Sequence, residues 1–200
     1  MENRRNFIKK SAALAAFGLV AEWASALPSS DKLGEILPQR QLIRNGEKVT
    51  ALSLGGYHLG FIDNETDAQR MVERAMELGV RFYDNARRYV DGRAERYMGK
   101  FLTPKYRDEI FLMTKAPGKS GEEVNKMLGE SLKALNTDYL DLWQIHGIST
   151  PKDVDRRIEA GVLDAFLEAK QKGKTRYIGF TGHRNPKAHL YFLKRLDELG

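Results

Sequence analysis

Short runs of apolar, β-branched and aromatic residues recur roughly every 30 residues along most of this chain, and amphipathic stretches separate them. The clearest runs are Phe111–Thr114, Leu140–Ile145 and Tyr177–Phe180, which are almost continuously apolar. Strands that are buried on both faces, as in a parallel sheet, have this composition. The pattern therefore predicts strands that alternate with helices around a parallel sheet.

The amphipathic stretches between these runs carry helix start signals. Thr66-Asp-Ala-Gln69 and Ser120-Gly-Glu-Glu123 are capping-box sequences, in which the two side chains at the ends of the box satisfy exposed backbone N–H groups. Val162–Gln171 is predicted as a third helix. Asn185-Pro186 begins a fourth, with proline at the first helical position.

A β-hairpin is predicted before the first of these units. Gln39–Arg44 and Lys48–Leu54 are strand-like, and Asn45-Gly46 supplies the two positive-φ positions of a tight turn. Alternating strands and helices form either an open doubly wound sheet or a (β/α)8 barrel. The dinucleotide fingerprint of the open sheet is missing, and a hairpin suits the closed bottom of a barrel, so the barrel is favoured.

The fold prediction is therefore an α/β chain that forms an incomplete (β/α)8 TIM barrel with an N-terminal β-hairpin. About five βα units are visible, whereas such barrels have eight. The barrel part is expected to cover residues 39–200, after a polar linker at residues 27–38.

The composition of the chain excludes several kinds of functional site. The chain has 200 residues, of which 42% are hydrophobic and 30% are charged, as is typical of a globular protein with one core. It contains no cysteine, which excludes disulfides, thiol nucleophiles and cysteine-ligated metal sites within this sequence. The net charge of +6 is modest and no basic stripe is interleaved with aromatic residues, so nucleic acid is not an expected partner.

The first 26 residues have the layout of an export signal. Residues 3–10 form a basic region with four Arg and Lys side chains, Ala12–Val20 is apolar, and Ala24-Ser25-Ala26 fits a small-residue cleavage site. The apolar stretch is too short for a membrane span, which takes about 20 residues, so no stable membrane anchor is expected. The pair Arg4-Arg5 before Phe-Ile-Lys resembles a twin-arginine signal, which implies export machinery as a partner and a periplasmic location.

Four titratable side chains fall at or just after the carboxyl ends of the second, third and fourth predicted strands of the sheet, where (β/α)8 barrels place their chemistry. Asp84 ends one strand and Tyr89 lies in the loop that follows, while Lys115 and His146 end the next two. A lysine after a buried strand is costly unless it is paired, and Asp84 is the natural partner. A nearby ammonium stabilises a phenolate, which makes Tyr89 a better acid.

This set suits the protonation of a carbonyl oxygen. Tyr89 would donate the proton, and His146 would donate a hydrogen bond to the same oxygen. No GxSxG motif or cysteine offers a nucleophile toward an acyl carbon, so the hydride must come from a cofactor.

Each residue also has a purely structural interpretation. Asp84 fits a strand or helix cap, and Tyr89 fits a surface tyrosine. Lys115 fits a salt bridge at the barrel rim, and His146 fits a buried imidazole with satisfied hydrogen bonds. A metal-dependent barrel hydrolase that uses His58, His146, His183 and an aspartate is a further alternative. It is disfavoured because the histidines are scattered rather than paired on one strand, so no metal site is expected.

These residues resemble the aldo-keto reductase family, over Gln39–Gly200. The motifs that carry the resemblance are Gly79-Val-Arg-Phe-Tyr-Asp-Asn-Ala86 with Tyr89, Phe111-Leu-Met-Thr-Lys115, Leu135-Asn-Thr-Asp-Tyr-Leu-Asp-Leu-Trp-Gln-Ile-His146 and Gly173-Lys-Thr-Arg-Tyr-Ile-Gly-Phe-Thr181. The resemblance implies a (β/α)8 barrel that uses nicotinamide, usually NADPH with NADH possible, to reduce a small aldehyde or ketone to an alcohol.

The resemblance also implies residue roles. It places the family's catalytic tetrad on Asp84, Tyr89, Lys115 and His146, with Tyr89 as the acid. It places the cofactor and substrate mouth at Gly55, Gly56 and Tyr57, with Asp84 beside them, and it puts Thr181 where the family usually has a serine that contacts the carboxamide.

Some positions depart from the family pattern. Asn85 replaces the usual threonine, Val90 replaces a glycine, and Thr181-Gly-His183 stands where many members have Ser-Asn. Strands six to eight, which hold most of the cofactor in the family, are not visible in this sequence. The alternative function is therefore a non-catalytic or inactive truncated relative that acts as a binding or regulatory protein.

Overall fold

The computed structural model describes residues 29–42 and 46–199. The predicted export signal at residues 1–26, and Asn45 of the predicted hairpin turn, lie outside the described residues. None of the described helices is long and apolar enough to cross a membrane.

A five-stranded parallel sheet forms the centre of the described chain, and two small antiparallel hairpins precede it. The strands of the sheet lie in sequence order, each hydrogen-bonded to the next, which is the topology of part of a (β/α)8 barrel. The predicted fold is thus confirmed as a partial barrel. The strands are β1 Ser29–Asp31, β2 Gly34–Ile36, β3 Gln39–Gln41, β4 Lys48–Thr50, β5 Leu54–Gly55, β6 Phe82–Asp84, β7 Phe111–Ala116, β8 Leu140–Ile145 and β9 Thr175–Phe180.

Helices connect the strands of this sheet and pack on one of its faces. They are α1 Gly56–Leu59, α2 Glu65–Glu77, α3 Arg93–Phe101, α4 Thr103–Tyr106, a 3₁₀ turn at Arg107–Glu109, α5 Gly121–Ala134, α6 Pro151–Glu159, α7 Val162–Gln171 and α8 Pro186–Leu199. The predicted bounds of α7 and the predicted start of α8 are confirmed.

The two predicted capping boxes have different outcomes. At α5 the prediction is confirmed, because the Ser120 hydroxyl accepts a hydrogen bond from the Glu123 N–H at 3.3 Å. At α2 it is wrong, because the helix begins earlier. Asn64 is the cap there, and its side-chain oxygen accepts from the Thr66 N–H at 2.9 Å. Asparagine is a strong N-cap residue, and its amide oxygen takes the place expected of the Thr66 hydroxyl.

Alternate residues of the strands face two different clusters, as the period of two in a strand requires. Tyr83, Leu112 and Trp143 point outward and pack beneath the helices. The opposite face forms a smaller cluster, to which the β3–β4 hairpin contributes a buried valine; its members are Val49, Phe82, Phe111, Met113, Leu142 and Tyr177. The predicted hairpin therefore lies against the interior of the barrel.

Residues from the stretch predicted as a polar linker form the β1–β2 hairpin and attach to the sheet. The Arg81 side chain, which is 5% exposed, donates to Asp31 at 2.7 Å and 3.2 Å. The Leu37 N–H donates to the Gly79 carbonyl at 3.0 Å. The hydrogen bonds from Arg81 hold the pKa of Asp31 below its usual value. This part of the chain therefore has a defined structure instead of the irregular one expected.

Candidate active site

Asp84 and Lys115 extend from neighbouring parallel strands toward the same interior. The β6–β7 register pairs Asp84 with Met113, so Lys115 lies two residues further along β7 on the same face. The Lys115 ammonium contacts the Asp84 carboxylate and donates to the Asn85 carbonyl at 2.7 Å. Lys115 is only 6% exposed, and these contacts stabilise its buried charge. The structure thus brings this predicted pair together.

Tyr89 lies beside the same ammonium. Its hydroxyl is 3.4 Å from the Lys115 Nζ, and its ring centroid is 5.1 Å from that atom. The backbone of Tyr89 is fixed by hydrogen bonds from its N–H to the Ala86 carbonyl at 2.9 Å and from the Ala94 N–H to its carbonyl at 3.5 Å. The loop after β6 therefore directs the phenol toward the lysine.

Asn85 holds the start of this loop. It is fully buried, and its side-chain oxygen accepts from the Ala86 N–H at 2.8 Å. A Cβ atom at Gly56 would lie 2.7 Å from that oxygen, so only glycine fits there without displacing Asn85. The asparagine that departs from the family pattern is thus matched by the glycine that faces it.

His146 follows β8 and completes the set. The backbone N–H of His146 donates to the Ala116 carbonyl at 2.9 Å. The centroid of its ring lies 6.1 Å from the centroid of the Tyr89 ring, and the two rings meet edge-on. Burial is the largest cause that lowers the pKa of His146, to about 4, and the charges of Lys115 and His183 add to it. The imidazole is therefore neutral at neutral pH.

The tautomer of this neutral ring follows from its surroundings. The Nδ1 atom of His146 is buried and has no hydrogen-bond partner among the described residues. A buried N–H without an acceptor is costly, so the proton is better placed on Nε2. His146 can then donate a hydrogen bond to a ligand oxygen beside Tyr89.

An aromatic wall stands at the predicted mouth. Gly55 pairs with Asp84 in the β5–β6 register, so the two strands end together. Tyr57 is 48% exposed, and its ring meets Tyr89 at 5.3 Å and Phe61 at 5.1 Å, both edge-on. The residues predicted at the mouth therefore do border the tetrad.

Thr181 lies one strand further along, directly after β9. Its N–H donates to the Ile145 carbonyl and its carbonyl accepts from the Ile148 N–H, both at 2.9 Å. Its hydroxyl makes no hydrogen bond with the described residues. The His183 ring lies 6.3 Å from that of His146. Among the described residues, no group of three or more histidines and carboxylates is arranged to hold a metal ion.

A buried carboxylate behind the tetrad was not foreseen from the sequence. Glu95 is fully buried, and its carboxylate accepts a hydrogen bond from the Thr114 hydroxyl at 2.7 Å. Thr114 directly precedes Lys115 on β7. Burial is the main reason that the pKa of Glu95 is raised. The Arg87 guanidinium lies 3.7 Å from Glu95 and donates to Glu130 at 2.9 Å and 3.1 Å. These contacts anchor the loop that carries Tyr89.

Comparison with known proteins identifies relatives of this chain. The model of the Aldo/keto reductase family matches residues 51–189. The L-galactose dehydrogenase of Arabidopsis thaliana is 34% identical over 155 residues, which cover 72% of this chain and 48% of the relative. The uncharacterized oxidoreductase YqkF of Bacillus subtilis is 32% identical over 158 residues, which cover 73% and 49%.

A solved structure is similar as well. The holo form of the aldo-keto reductase AKR11C1 from Bacillus halodurans superimposes with a TM-score of 0.70 and 31% identity, and the match covers 80% of this chain and 54% of that one. The chain thus spans about half the length of the curated relatives it matches.

Proposed function

We propose, from the premise that this chain belongs to the aldo/keto reductase family, that it serves the NAD(P)H-dependent reduction of an aldehyde or ketone to an alcohol. The observation that carries the proposal is the Lys115 ammonium, which lies 3.4 Å from the Tyr89 hydroxyl and contacts Asp84. A cation at this distance stabilises a phenolate. Tyr89 is therefore suited to be the general acid that protonates the carbonyl oxygen.

The neighbours of Tyr89 have supporting roles in this reaction. Asp84 and the Asn85 carbonyl hold the ammonium in place. His146 donates a hydrogen bond from Nε2 to the substrate oxygen, which orients the carbonyl and stabilises the negative charge that develops there. Because its imidazole is neutral at neutral pH, it does not compete with Tyr89 as the acid.

The strand ends offer a place for the nicotinamide of NADPH or NADH. A Cβ atom at Gly55 would meet no atom within 4 Å, so the end of β5 is open. The Thr181 hydroxyl is available to a carboxamide. A reduced nicotinamide bound there would supply a hydride to the carbonyl carbon, and Tyr89 would protonate the oxygen that takes up the electron pair of the C=O bond. NADPH is the expected cofactor, by resemblance to the family.

Two measurements test the function. Quenching of protein fluorescence on titration with NADPH reports cofactor binding, and loss of NADPH absorbance with a panel of small aldehydes and ketones reports reduction. We expect saturable quenching and carbonyl-dependent oxidation of NADPH. Absence of both would instead favour the alternative, a non-catalytic relative with a binding or regulatory role.

We also propose that residues 1–26 direct export to the periplasm through the twin-arginine machinery. The order of basic, apolar and small residues supports this. Residues 1–38 fused to a reporter would test it. We expect Arg4→Lys with Arg5→Lys to abolish export, while Lys9→Arg with Lys10→Arg preserves it. Export that is unaffected by the arginine changes would exclude the twin-arginine route.

A further inference from the structure

A basic groove runs outward from His146 across three of the loops that follow strands. Its inner part is a cavity of about 280 Å³ lined by Arg88, Pro117, Lys119, His146, Gly147 and Arg157. Its outer part, of about 420 Å³, shares Arg88, Pro117 and Lys119, and extends to Lys126 on α5. The groove begins at the proposed site of reduction and leads away from it.

A buried arginine fixes the walls of this basic groove. Arg157 of α6 is only 4% exposed. Its guanidinium donates to the Gly118 carbonyl at 3.2 Å and to the Gly147 carbonyl at 3.4 Å. These two glycines lie in the loops after β7 and β8, so Arg157 ties both loops together. The inner end of the groove therefore has a defined shape and a positive charge at its wall.

The charges around the inner end are unbalanced. Asp153 is the carboxylate nearest to three cations, and lies 3.2 Å from Lys119, 3.4 Å from Arg157 and 3.7 Å from Arg156. One negative charge cannot neutralise three positive ones. Arg88 is exposed and forms no ion pair or hydrogen bond with the described residues. The inner groove thus keeps a surplus of positive charge beside a neutral imidazole.

The outer end adds a second unpaired cation. Lys126 is exposed and has no ion pair among the described residues. The two carboxylates that line the outer part are already engaged, since Glu130 accepts from Arg87 at 2.9 Å and Glu123 accepts from the Lys119 N–H at 2.7 Å. At the start of α5, the Gly121 N–H donates to the Ala160 carbonyl and the Glu123 N–H donates to the Ser120 hydroxyl. The cationic side chains, and not the helix end, are therefore the groups available to a ligand.

We propose that this basic groove binds the anionic group, a carboxylate or a phosphate, of a substrate whose carbonyl lies between Tyr89 and His146. The subsite rests on the proposed function, because it assumes that the reacting carbonyl is held there. Arg88 is adjacent to Tyr89 in sequence, and both Arg88 and His146 line the inner cavity. A substrate held at His146, whose ring meets that of Tyr89, can therefore extend to Arg88, and a longer one to Lys126 in the outer part. Charge-assisted hydrogen bonds from Arg88 and Lys126 would hold its anionic end.

Matched pairs of probes test the subsite in the full chain. The carboxylate pair is 4-carboxybenzaldehyde and its neutral counterpart 4-formylbenzamide, and the phosphate pair is glyceraldehyde 3-phosphate and glyceraldehyde. Dissociation constants come from titrations followed by the NMR signals of the His146 ring. We expect the anionic member of at least one pair to bind at least about fivefold more tightly. The ratio should shrink as salt rises from about 0.01 M to about 0.15 M.

Variants locate the effect in the groove. In the double variant Arg88→Gln with Lys126→Gln, we expect the ratio of affinities within each pair to fall toward one. Lys170→Gln is the matched control, because it removes an exposed lysine of α7 that does not line the groove, and it should keep the ratio of the unmodified protein. The pair that loses its preference identifies the anion as carboxylate or phosphate.

The possible outcomes separate the subsite from the reaction. Equal affinity within both pairs for the unmodified protein overturns the subsite, and so does a preference that survives in the double variant. Reduction of the neutral aldehydes by NADPH without any anionic preference leaves the proposed function standing and overturns the subsite. Preferential binding of the anion without turnover upholds the anion site and counts against the reduction.

Discussion

Tyr89 and Lys115 form the pair on which the proposed chemistry depends. The phenol makes contact with a cation that is buried and held by Asp84 and the Asn85 carbonyl. Because these contacts fix the position of the ammonium, it remains beside the phenol when the proton leaves. A charge that is already in place does not have to be reorganised during the reaction, and this is the main advantage of such a site.

Removal of the phenol hydroxyl is the most direct test at this scale. We expect Tyr89→Phe to lower the rate of carbonyl reduction by about 100-fold or more, which is the range of general acid catalysis, while NADPH binding persists. Tyr106→Phe is the control, since that hydroxyl makes no hydrogen bond with the described residues. Rates are measured from NADPH absorbance. A Tyr89→Phe rate close to that of the control would exclude this tyrosine as the acid.

His146 makes a prediction about pH. The pKa of this imidazole is lowered to about 4, mainly by burial. Between about pH 6.5 and pH 4 the unfolded chain therefore binds a proton that the folded chain does not, so stability falls as the pH drops through this window. Because the ring is partly exposed and solvent screens its charge, we expect the free energy of unfolding to fall by only about 1–2 kcal/mol. Urea unfolding at pH 7 and pH 4.5 measures it.

Glutamine variants assign this loss to one ring. His146→Gln should unfold with a smaller difference between the two pH values than the unmodified protein. His58→Gln, which removes an exposed histidine at the mouth, should keep most of the difference. An equal difference in all three proteins would mean that His146 is not the group responsible.

The sequence predicts the positions of the tetrad residues better than those of the residues that hold them in place. Asp84, Lys115 and His146 could be placed because a polar residue that ends an apolar run marks a strand end, and parallel strand ends meet at one edge. The contacts of Arg87 with Glu95 and Glu130 could not be placed in the same way. They depend on which face of α3 and α5 meets the sheet, and the sequence alone does not determine this.

At the scale of elements, four of the described helices were not predicted, and the two longer ones, α3 and α6, escape prediction for different physical reasons. α3 begins after Gly92, which has a φ of +75° and no side chain, so no side-chain cap marks its start. α6 has nine residues, and its cap is Thr150, whose hydroxyl accepts from the Asp153 N–H at 3.0 Å. A helix this short has too few apolar positions to show a helical period.

The contact between α1 and the start of the Tyr89 loop gives a prediction at this scale. Gly56→Ala should destabilise the protein by about 1–3 kcal/mol, because the added methyl group overlaps the buried Asn85 side chain. Gly129→Ala is the matched control, since a Cβ there meets no atom within 4 Å and alanine favours the helix by up to about 1 kcal/mol. Urea unfolding compares the two.

Opposite signs are thus expected for the same chemical change at two positions. If Gly56→Ala were as stable as Gly129→Ala, Asn85 would have another rotamer available. The loop after β6 would then be less tightly fixed than the hydrogen bond that the Asn85 side-chain oxygen accepts from the Ala86 N–H indicates.

At the scale of the whole molecule, the sheet is held from two sides. Helices cover its outer face, while the β3–β4 hairpin lies against the interior cluster through Val49. The β1–β2 hairpin adds a further attachment, because Asp31 binds Arg81 across 50 residues of sequence. Polar composition alone suggested a linker for this segment. The pairing could not be foreseen, since nothing in the sequence marks Arg81 as a buried residue.

Asp31→Asn tests whether this hairpin stabilises the entire fold. The change would leave the Arg81 charge buried without its counterion, and we expect the free energy of unfolding to fall by about 2–3 kcal/mol, since Asp31 is itself partly exposed. Asp67→Asn, which breaks an exposed pair with Arg70, should change stability by less than about 0.5 kcal/mol. Because the pKa of Asp31 is lowered in the folded state, its contribution should also disappear as the pH falls below the usual range of a carboxylate, and Asp31→Asn should lack that acid-dependent loss. Equal unfolding free energies for the two variants at neutral pH would mean that the hairpin rests on the sheet without stabilising it.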